Sequence, residues 1–278
     1  MRYFTLFAVL LIRTWAQAQS PSTETAQIPF QFYNGNLIIV KASIGNLKNI
    51  NMLLDTGTTI TAITKDLAIR LNLSGTVVWT ETLGGAVRSE SVTLPTIQVG
   101  PRQINQLRAV VPDLTAIQQT LNLTLGGIVG MDVLGTGKLT IDYTRQKVIF
   151  GSSTATHHVV PFASRQPFLT VNAVIDKQQV RLMLDSGSYQ VIVFKNRLHS
   201  STSKIHSDPS AAIACLGGST RSSFLHSDIL LGTESLGAHD VALANSDVDE
   251  DIDGLLGFAQ LNFHRVSFDF DKALFSWD

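Results

Sequence analysis

The chain of 278 residues is weakly charged: 15% of its residues are Asp, Glu, Lys or Arg, and its formal net charge is -1. Soluble domains commonly contain about 25% charged residues, and nucleic-acid-binding domains usually carry a basic surface. The composition therefore argues against a nucleic-acid partner, and the length suits one large domain or two small ones.

The first residues have the pattern of an export signal. Arg2 supplies a positive charge, Phe4–Ile12 is a short apolar run, and Ala16–Ala18 is a small-x-small cleavage site. The run is shorter than the roughly 20 residues that span a bilayer. We predict a signal peptide over residues 1–18, no membrane attachment after its removal, and a periplasmic or extracellular location.

The rest of the chain is mainly β in pattern, because apolar and polar residues alternate over short stretches. The clearest predicted strands are Leu37–Ile44, Ser91–Val99, Phe168–Ile175 and Val266–Phe270. Short helices are predicted at Lys65–Leu71, at Pro112–Asn122, where Asp113 and Thr115 are candidate caps, and after Gly130. We expect a polar, Ser-rich loop at His199–Ser210 and a linker at Gly151–His158, with a boundary near residue 155.

A search for internal repeats shows that one unit of about 130 residues is written twice. The stretch INMLLDTGTTITAI, which contains Asp55, has a counterpart in VRLMLDSGSYQVIVF, which contains Asp185. Further along, LGG at 83–85 matches LGG at 216–218, and GIVGMDVLG at 127–135 matches GLLGFAQLN at 254–262. Because these features keep the same order and nearly the same spacing, a chance pair of Asp-x-Gly turns does not account for them.

These motifs resemble those of the pepsin-like and retropepsin-like aspartic proteases, of the single-chain, bacterial type. The resemblance rests on the two Asp-Thr/Ser-Gly loops and on the later apolar-apolar-Gly runs, Ile128–Gly130 and Leu255–Gly257. It implies an all-β, two-lobed pepsin-like acid protease fold built from an internal duplication, with short helices. The N-terminal β lobe would cover residues 19–155 and the C-terminal β lobe residues 156–278.

The resemblance implies that Asp55 and Asp185 form a catalytic pair. Peptide hydrolysis needs a base that takes a proton from water and an acid that protonates the leaving nitrogen. Two carboxyls about 3 Å apart share one proton and so supply both, as they do in pepsin. We expect an aspartic endopeptidase that acts on polypeptides as a monomer, with no cofactor and no metal.

The neighbours of the two acids have expected supporting roles. Gly57 and Gly187 would let the backbone turn sharply, so that its N–H groups approach the carboxylates. By resemblance, Thr56 and Ser186 would bond across the lobe interface. Thr58 and Ser188 would donate to the outer carboxylate oxygens. Tyr189 departs from the family pattern, which more often has a small hydroxyl residue there.

Two hairpin flaps are expected over the cleft, one from each unit. The candidate tips are Leu83, Gly84 and Gly85 in the first unit and Leu216, Gly217 and Gly218 in the second, because Gly-Gly favours a tight and mobile hairpin. Trp79 is the aromatic residue nearest the first tip, and we interpret it either as a buried strand-edge residue or as a wall of the substrate site.

Other interpretations of the sequence remain open or fail. A catalytically silent protease-like module for binding or inhibition is the main alternative, whereas a structural β scaffold leaves the duplicated acids unexplained. The stretch DEDIDG at Asp249–Gly254 begins like a calcium loop, but its twelfth position is Gln260 where a bidentate Glu is required. We therefore predict no metal site there.

Overall fold

A computed structural model describes residues 8–9, 26–33, 35, 37–83, 85–151, 156–165, 168–198, 205–215, 218–245 and 251–278. The predicted signal peptide lies outside these residues except for Ala8–Val9, and the predicted boundary near residue 155 lies outside them as well. In the described part of the chain, no helix is both long and apolar enough to cross a membrane.

Strands dominate the described chain, as the sequence pattern predicts. In the first half they are β1 (Ala8–Val9), β2 (Ala26–Pro29), β3 (Gln31–Tyr33), β4 (Leu37–Ile44), β5 (Leu47–Leu54), β6 (Ala62–Ile63), β7 (Thr76–Thr82), β8 (Val87–Val99), β9 (Arg102–Val110), β10 (Gly127–Val129), β11 (Lys138–Asp142) and β12 (Lys147–Phe150). In the second half they are β13 (His158–Pro161), β14 (Ala163–Arg165), β15 (Phe168–Ile175), β16 (Gln178–Asp185), β17 (Ile192–Phe194), β18 (Ile205–Cys215), β19 (Gly218–Leu231), β20 (Glu234–Ala244), β21 (Gly254–Gly257), β22 (Arg265–Asp269) and β23 (Leu274–Trp277).

The helices are short. They are α1 (Lys65–Arg70), α2 (Thr115–Leu121) and α3 (Met131–Leu134), with 3-10 turns at Lys195–Arg197 and Ala259–Leu261. The side chain of Thr64 caps α1 by accepting from the N–H of Leu67. Helix α2 begins three residues later than predicted; Asp113 accepts from the N–H of Thr115 but lies outside the helix.

Each half of the chain builds a large sheet with the same plan. The first has the order β1-β7-β8-β9-β6-β10-β5-β4-β3, and the second has the order β14-β15-β16-β21-β17-β20-β19-β18. Leaving out β1, the two orders are the same list of equivalent strands in reverse. Strands β4 and β15 even share one burial pattern, in which Lys41 and Asn172 are the exposed positions. The duplication read from the sequence is therefore visible in the fold.

A third sheet joins the two halves, with the order β13-β23-β22-β11-β12-β2. Its two central strands, β11 and β22, come from different halves and pair antiparallel. The hydroxyls of Thr140 and Ser267, which face each other in this register, lie 2.7 Å apart. The architecture is thus all-β and two-lobed, as expected.

The loop prediction for His199–Ser210 is wrong in its described part. Residues 205–210 belong to β18, which pairs with β19 through a register shift between Ser207 and Ala212. Pro209 lies inside this shift, and proline has no N–H to donate to a ladder. The polar composition of these residues suggests a loop. A strand in an outer hairpin does not require a continuous apolar pattern, however, so the composition is misleading here.

Candidate active site

The two acids lie at equivalent strand ends. Asp55 directly follows β5, and Asp185 is the last residue of β16. Each of these strands pairs in parallel with the strand that carries the apolar-apolar-Gly run, β10 in the first half and β21 in the second. The N–H of Asp55 donates to the carbonyl of Val129 at 3.1 Å. Buried strands on both sides therefore fix where each acid loop begins.

The acid loops meet face to face at their glycines. A Cβ atom added to Gly57 would lie 2.6 Å from the carboxyl carbon of Asp185, and one added to Gly187 would lie 2.9 Å from that of Asp55. Any side chain at either position would collide with the opposite carboxyl. Both carboxyls are fully buried, and each affects the pKa of the other.

Backbone N–H groups bind one oxygen of each acid in the same way. Gly57 donates to Asp55 Oδ1 at 2.8 Å, and Gly187 donates to Asp185 Oδ1 at 2.8 Å. Such bonds favour the charged form of a carboxyl. They partly offset the cost of placing two acids inside the protein.

Thr56 and Ser186 join the two loops across the interface between the halves. The N–H of Thr56 donates to Ser186 Oγ at 3.0 Å, and the N–H of Ser186 donates to Thr56 Oγ1 at 2.9 Å. The hydroxyl of Thr56 also donates to the carbonyl of Leu184, and that of Ser186 to the carbonyl of Leu54. Four buried hydrogen bonds therefore fix the two acids relative to each other.

The next hydroxyl residues behave differently in the two loops. Thr58 Oγ1 donates to Asp55 Oδ2 at 2.8 Å, as expected. The hydroxyl of Ser188 instead donates to the carbonyl of Gln190 at 2.8 Å, so the expectation for Ser188 is wrong. Asp185 Oδ2 is buried and accepts no hydrogen bond from a backbone N–H or a hydroxyl of the described residues. Ser188 departs from the expected arrangement because the backbone carbonyl two residues later competes for its proton.

The different environments of the two carboxyls also affect the pKa values of Asp55 and Asp185. Burial raises the pKa of Asp55 to about 6, and the bonds from Thr58 and Gly57 oppose the rise. Burial raises the pKa of Asp185 well above its usual range, and the negative charge of Asp55 raises it further. The two protons of the pair therefore leave one at a time, and the pair holds a single proton over a range of pH.

The first flap candidate is the tip of the β7–β8 hairpin. Thr82 and Gly85 bond each other through both backbone N–H groups, and Gly85 has a positive φ of 105°. The side chain of Leu83 is only 3% exposed, because it packs into an apolar cluster whose other members come from the second half. Those members include Phe168, Met183, Phe194 and Leu255. Gly84 lies outside the described residues.

The second flap candidate falls at an equivalent hairpin, formed by β18 and β19. Gly218 begins β19 and pairs with Cys215, whereas Leu216 and Gly217 lie outside the described residues. Trp79 is 66% exposed on β7, so the interpretation as a buried residue is wrong. Its strand neighbour Thr80 is buried, so Trp79 faces away from the buried side of the hairpin.

The sequence did not predict the roles of two polar residues whose side chains accept hydrogen bonds from the backbone that follows the acid loops. Asp132 and Gln260 lie two and three residues after the glycines of the apolar-apolar-Gly runs. Asp132 accepts from the N–H of Thr61, and Gln260 accepts from the N–H of Val191. The two halves use different residue types at slightly different spacing, so the repeat alone does not reveal them. Among the described residues, no group of three His, Cys, Asp or Glu side chains could hold a metal ion.

Comparisons with known proteins agree with this geometry. Residues 40–133 match a family model described as aspartyl protease. Among solved structures, the chain is similar to the aspartic proteinase from Irpex lacteus, with a TM-score of 0.54 and 13% sequence identity over 91% of this chain and 97% of that one. A search of curated proteins gave no match. The expected resemblance is thus confirmed: residues 40–133 match a sequence model of aspartyl proteases, and the chain has the two-lobed fold of an aspartic proteinase.

Proposed function

We propose that this protein is an aspartic endopeptidase in which Asp55 and Asp185 act together on one water molecule. The family match and the fold support protease activity in general. The observation that carries the finer proposal is the approach of the two acid loops, in which each glycine leaves room only for the opposite carboxyl. Two acids this close lose their protons one at a time.

The asymmetry of the hydrogen bonds supports distinct roles for the two acids. Asp55 is the better base, because Thr58 and Gly57 donate to its two oxygens and stabilise its charge. Asp185 is the better acid, because its Oδ2 atom receives no donor from the described residues and it faces the charge of Asp55. In the resting pair, Asp55 is the ionised member and Asp185 the protonated one.

The proposed reaction follows from these roles. Asp55 takes a proton from water while the water oxygen bonds to the peptide carbonyl carbon, and Asp185 gives its proton to the carbonyl oxygen. The resulting tetrahedral diol is neutral. Asp55 then gives its proton to the nitrogen as the C–N bond breaks, and Asp185 recovers a proton from one diol hydroxyl. Peptide and water become acid and amine, and the pair returns to its starting state.

Several of the sequence expectations accompany this proposal. Both acid loops come from one chain, so a monomer is sufficient to complete the pair. The substrate is a polypeptide, and the signal-like N-terminus supports export to the periplasm or the outside. No step of the reaction requires a metal or a cofactor.

The experiment is hydrolysis of a quenched mixed-peptide library between about pH 4 and pH 8, with the wild type beside Asp55→Asn and Asp185→Asn. Circular dichroism and thermal melting would establish that all three proteins are folded. We expect cleavage by the wild type, with products that carry new carboxyl and amino ends, and loss of about 10³-fold or more in each variant. Folded wild-type protein without cleavage at any pH would contradict the proposal and favour a binding or inhibitory module.

A further inference from the structure

In each half of the chain, one polar side chain accepts a hydrogen bond from the backbone that follows the acid loop. In the first half, the N–H of Asp132 donates to the carbonyl of Thr59, and Asp132 Oδ2 accepts from the N–H of Thr61 at 2.8 Å. In the second half, the N–H of Gln260 donates to the carbonyl of Tyr189, and Gln260 Oε1 accepts from the N–H of Val191 at 3.1 Å. Thr61 and Val191 are each the sixth residue after an acid.

The two halves therefore make the same pair of backbone contacts with different side chains. Each contact closes a ring between the acid loop and the segment that follows the apolar-apolar-Gly run. The ring fixes the carbonyl of the fourth residue after the acid and the N–H of the sixth. A backbone held at both points cannot turn without breaking a buried or part-buried hydrogen bond.

In the first half, the ring connects to the carboxyl of Asp55 through Thr58. Asp132 Oδ1 accepts from the hydroxyl of Thr61 at 2.7 Å, and the N–H of Met131 donates to the carbonyl of Thr58 at 2.8 Å. Thr58 in turn donates its hydroxyl to Asp55 Oδ2. A chain of contacts thus runs from Asp132 through the loop backbone to the oxygen of Asp55 that we expect to act as the base.

In the second half, the equivalent residue, Gln260, makes its further hydrogen bond to a neighbouring strand. The Nε2 atom of Gln260 donates to the carbonyl of Asp240 at 3.0 Å, which ties the loop to strand β20. An amide therefore makes the loop contact in this half where a carboxyl makes it in the other. Because a neutral amide is sufficient in one half, the shared requirement is a hydrogen-bond acceptor in this place and not a negative charge.

We propose that Asp132 and Gln260 are positioning residues of the active site, which hold the two acid loops in register by accepting the N–H of Thr61 and of Val191. This inference rests on the proposed function, because it assigns the residues a role in hydrolysis. Neither residue touches the carboxyls, so neither is a catalytic residue. Their effect is on the placement of Asp55 and Asp185.

The test compares Asp132→Ala with Asp132→Asn. Alanine removes the acceptor, whereas asparagine keeps an acceptor oxygen of the kind that Gln260 supplies in the other half. At a temperature where both variants are folded, we expect Asp132→Ala to lower kcat about tenfold or more with KM changed by less than about twofold, since small misplacements of catalytic groups cost rate. Asp132→Asn should keep kcat within about threefold of the wild type.

A pair of isosteric variants separates positioning from stability. Thr61→Val removes the hydroxyl that Asp132 binds, and we expect it to lower kcat. Thr140→Val removes a buried hydroxyl from the central sheet, where Thr140 faces Ser267. It should lower the melting temperature and leave kcat unchanged. The proposal is overturned if Asp132→Ala keeps the kcat of the wild type, if asparagine fails to rescue, or if Thr140→Val lowers kcat as much as Thr61→Val.

A second readout needs no turnover and keeps the two proposals distinguishable. Amide hydrogen exchange should become at least about tenfold faster over residues 58–61 in Asp132→Ala, and unchanged in helix α1. If the wild type cleaves no peptide, the proposed function fails while the exchange result still decides whether Asp132 holds the loop. Unchanged exchange in residues 58–61 would overturn the positioning role whatever the activity.

Discussion

Thr56 and Ser186, which are 130 positions apart in the chain, exchange hydrogen bonds in which each backbone N–H donates to the hydroxyl of the other. The two bonds are buried and are made by the residues that directly follow the two acids in the chain. They connect the stability of the two-lobed fold to the geometry of the site, because neither loop can move without the other.

We expect Thr56→Val to destabilise the protein and to lower its activity. Valine keeps the shape but leaves the N–H of Ser186 and the carbonyl of Leu184 buried without that partner, at a cost of about 2 to 4 kcal/mol. Urea unfolding measures the change. Thr93→Val is the matched control, because Thr93 is exposed on β8, and its effect should stay within about 0.5 kcal/mol. Equal stability of Thr56→Val and the wild type would contradict the role of this exchange.

The pH profile of hydrolysis should have an acid limb near pH 6. Below the pKa of about 6 for Asp55, both carboxyls are protonated and the base is lost. At high pH, Asp185 also ionises and the acid is lost, so the profile is bell-shaped. We expect the maximum between the two limbs, above pH 6. Full activity at pH 4 would contradict the assigned acidity of Asp55.

Thr58→Val should move that acid limb to higher pH. The hydroxyl of Thr58 stabilises the charged form of Asp55, so its removal raises the pKa of Asp55 and the limb follows, by about half a unit to one unit. Ser188→Ala is the control, because the hydroxyl of Ser188 donates to Gln190. Its acid limb should stay in place. A shift of equal size in both variants would show that the hydrogen-bond asymmetry does not set the acidity.

The stability of the protein should fall as the pH rises from about 4 to above 6. The pKa values of Asp55 and Asp132 are raised by burial from 3.8 to about 6. The folded state therefore holds protons that the unfolded state has released, and this stabilisation is lost as pH rises through the folded pKa. Unfolding in urea at several pH values tests the slope, and Asp132→Asn should flatten it. Stability that increases steadily from pH 4 to pH 7 would be the contrary result.

Leu83 should hold the first flap against the second half. Its side chain is almost fully buried in a cluster of second-half residues, so Leu83→Ala loses about 1.5 to 3 kcal/mol of apolar burial there. We expect amide exchange at Thr82 and Gly85 to become about tenfold faster. Trp79→Ala, on the exposed side of the same hairpin, should leave that exchange unchanged. Protection at the tip that survives Leu83→Ala would mean that other contacts hold the flap.

Much of this architecture can be predicted from the sequence, because a duplicated pattern constrains two places at once. The predicted bounds of strands β4 and β15 agree with the observed ones, since alternation is clear where one face is buried. The acid loops stand out for the same reason. Strand β18 is not predicted from the sequence. It is a strand because it pairs with β19, whereas its own residues show no alternation of apolar and polar positions.

The sequence does not predict which hydrogen-bond acceptor or packing partner some side chains of the site use. The hydroxyl of Ser188 donates to a backbone carbonyl and not to the carboxyl that the resemblance implies, and the spacing of residues does not predict this choice. Asp132 and Gln260 are equivalent only in three dimensions, because one extra residue precedes Gln260 in its repeat. Leu83 is buried by residues of the second half of the chain, so the sequence around Leu83 does not predict its burial.

The most direct test of the central claim is a double-mutant cycle on the two acids, read as kcat/KM on a single peptide identified from the library. If Asp55 and Asp185 form one unit, Asp55→Asn, Asp185→Asn and the double variant should all lose activity by a similar factor, about 10³-fold or more. Losses that multiply in the double variant, or full activity in either single variant, would contradict a shared pair.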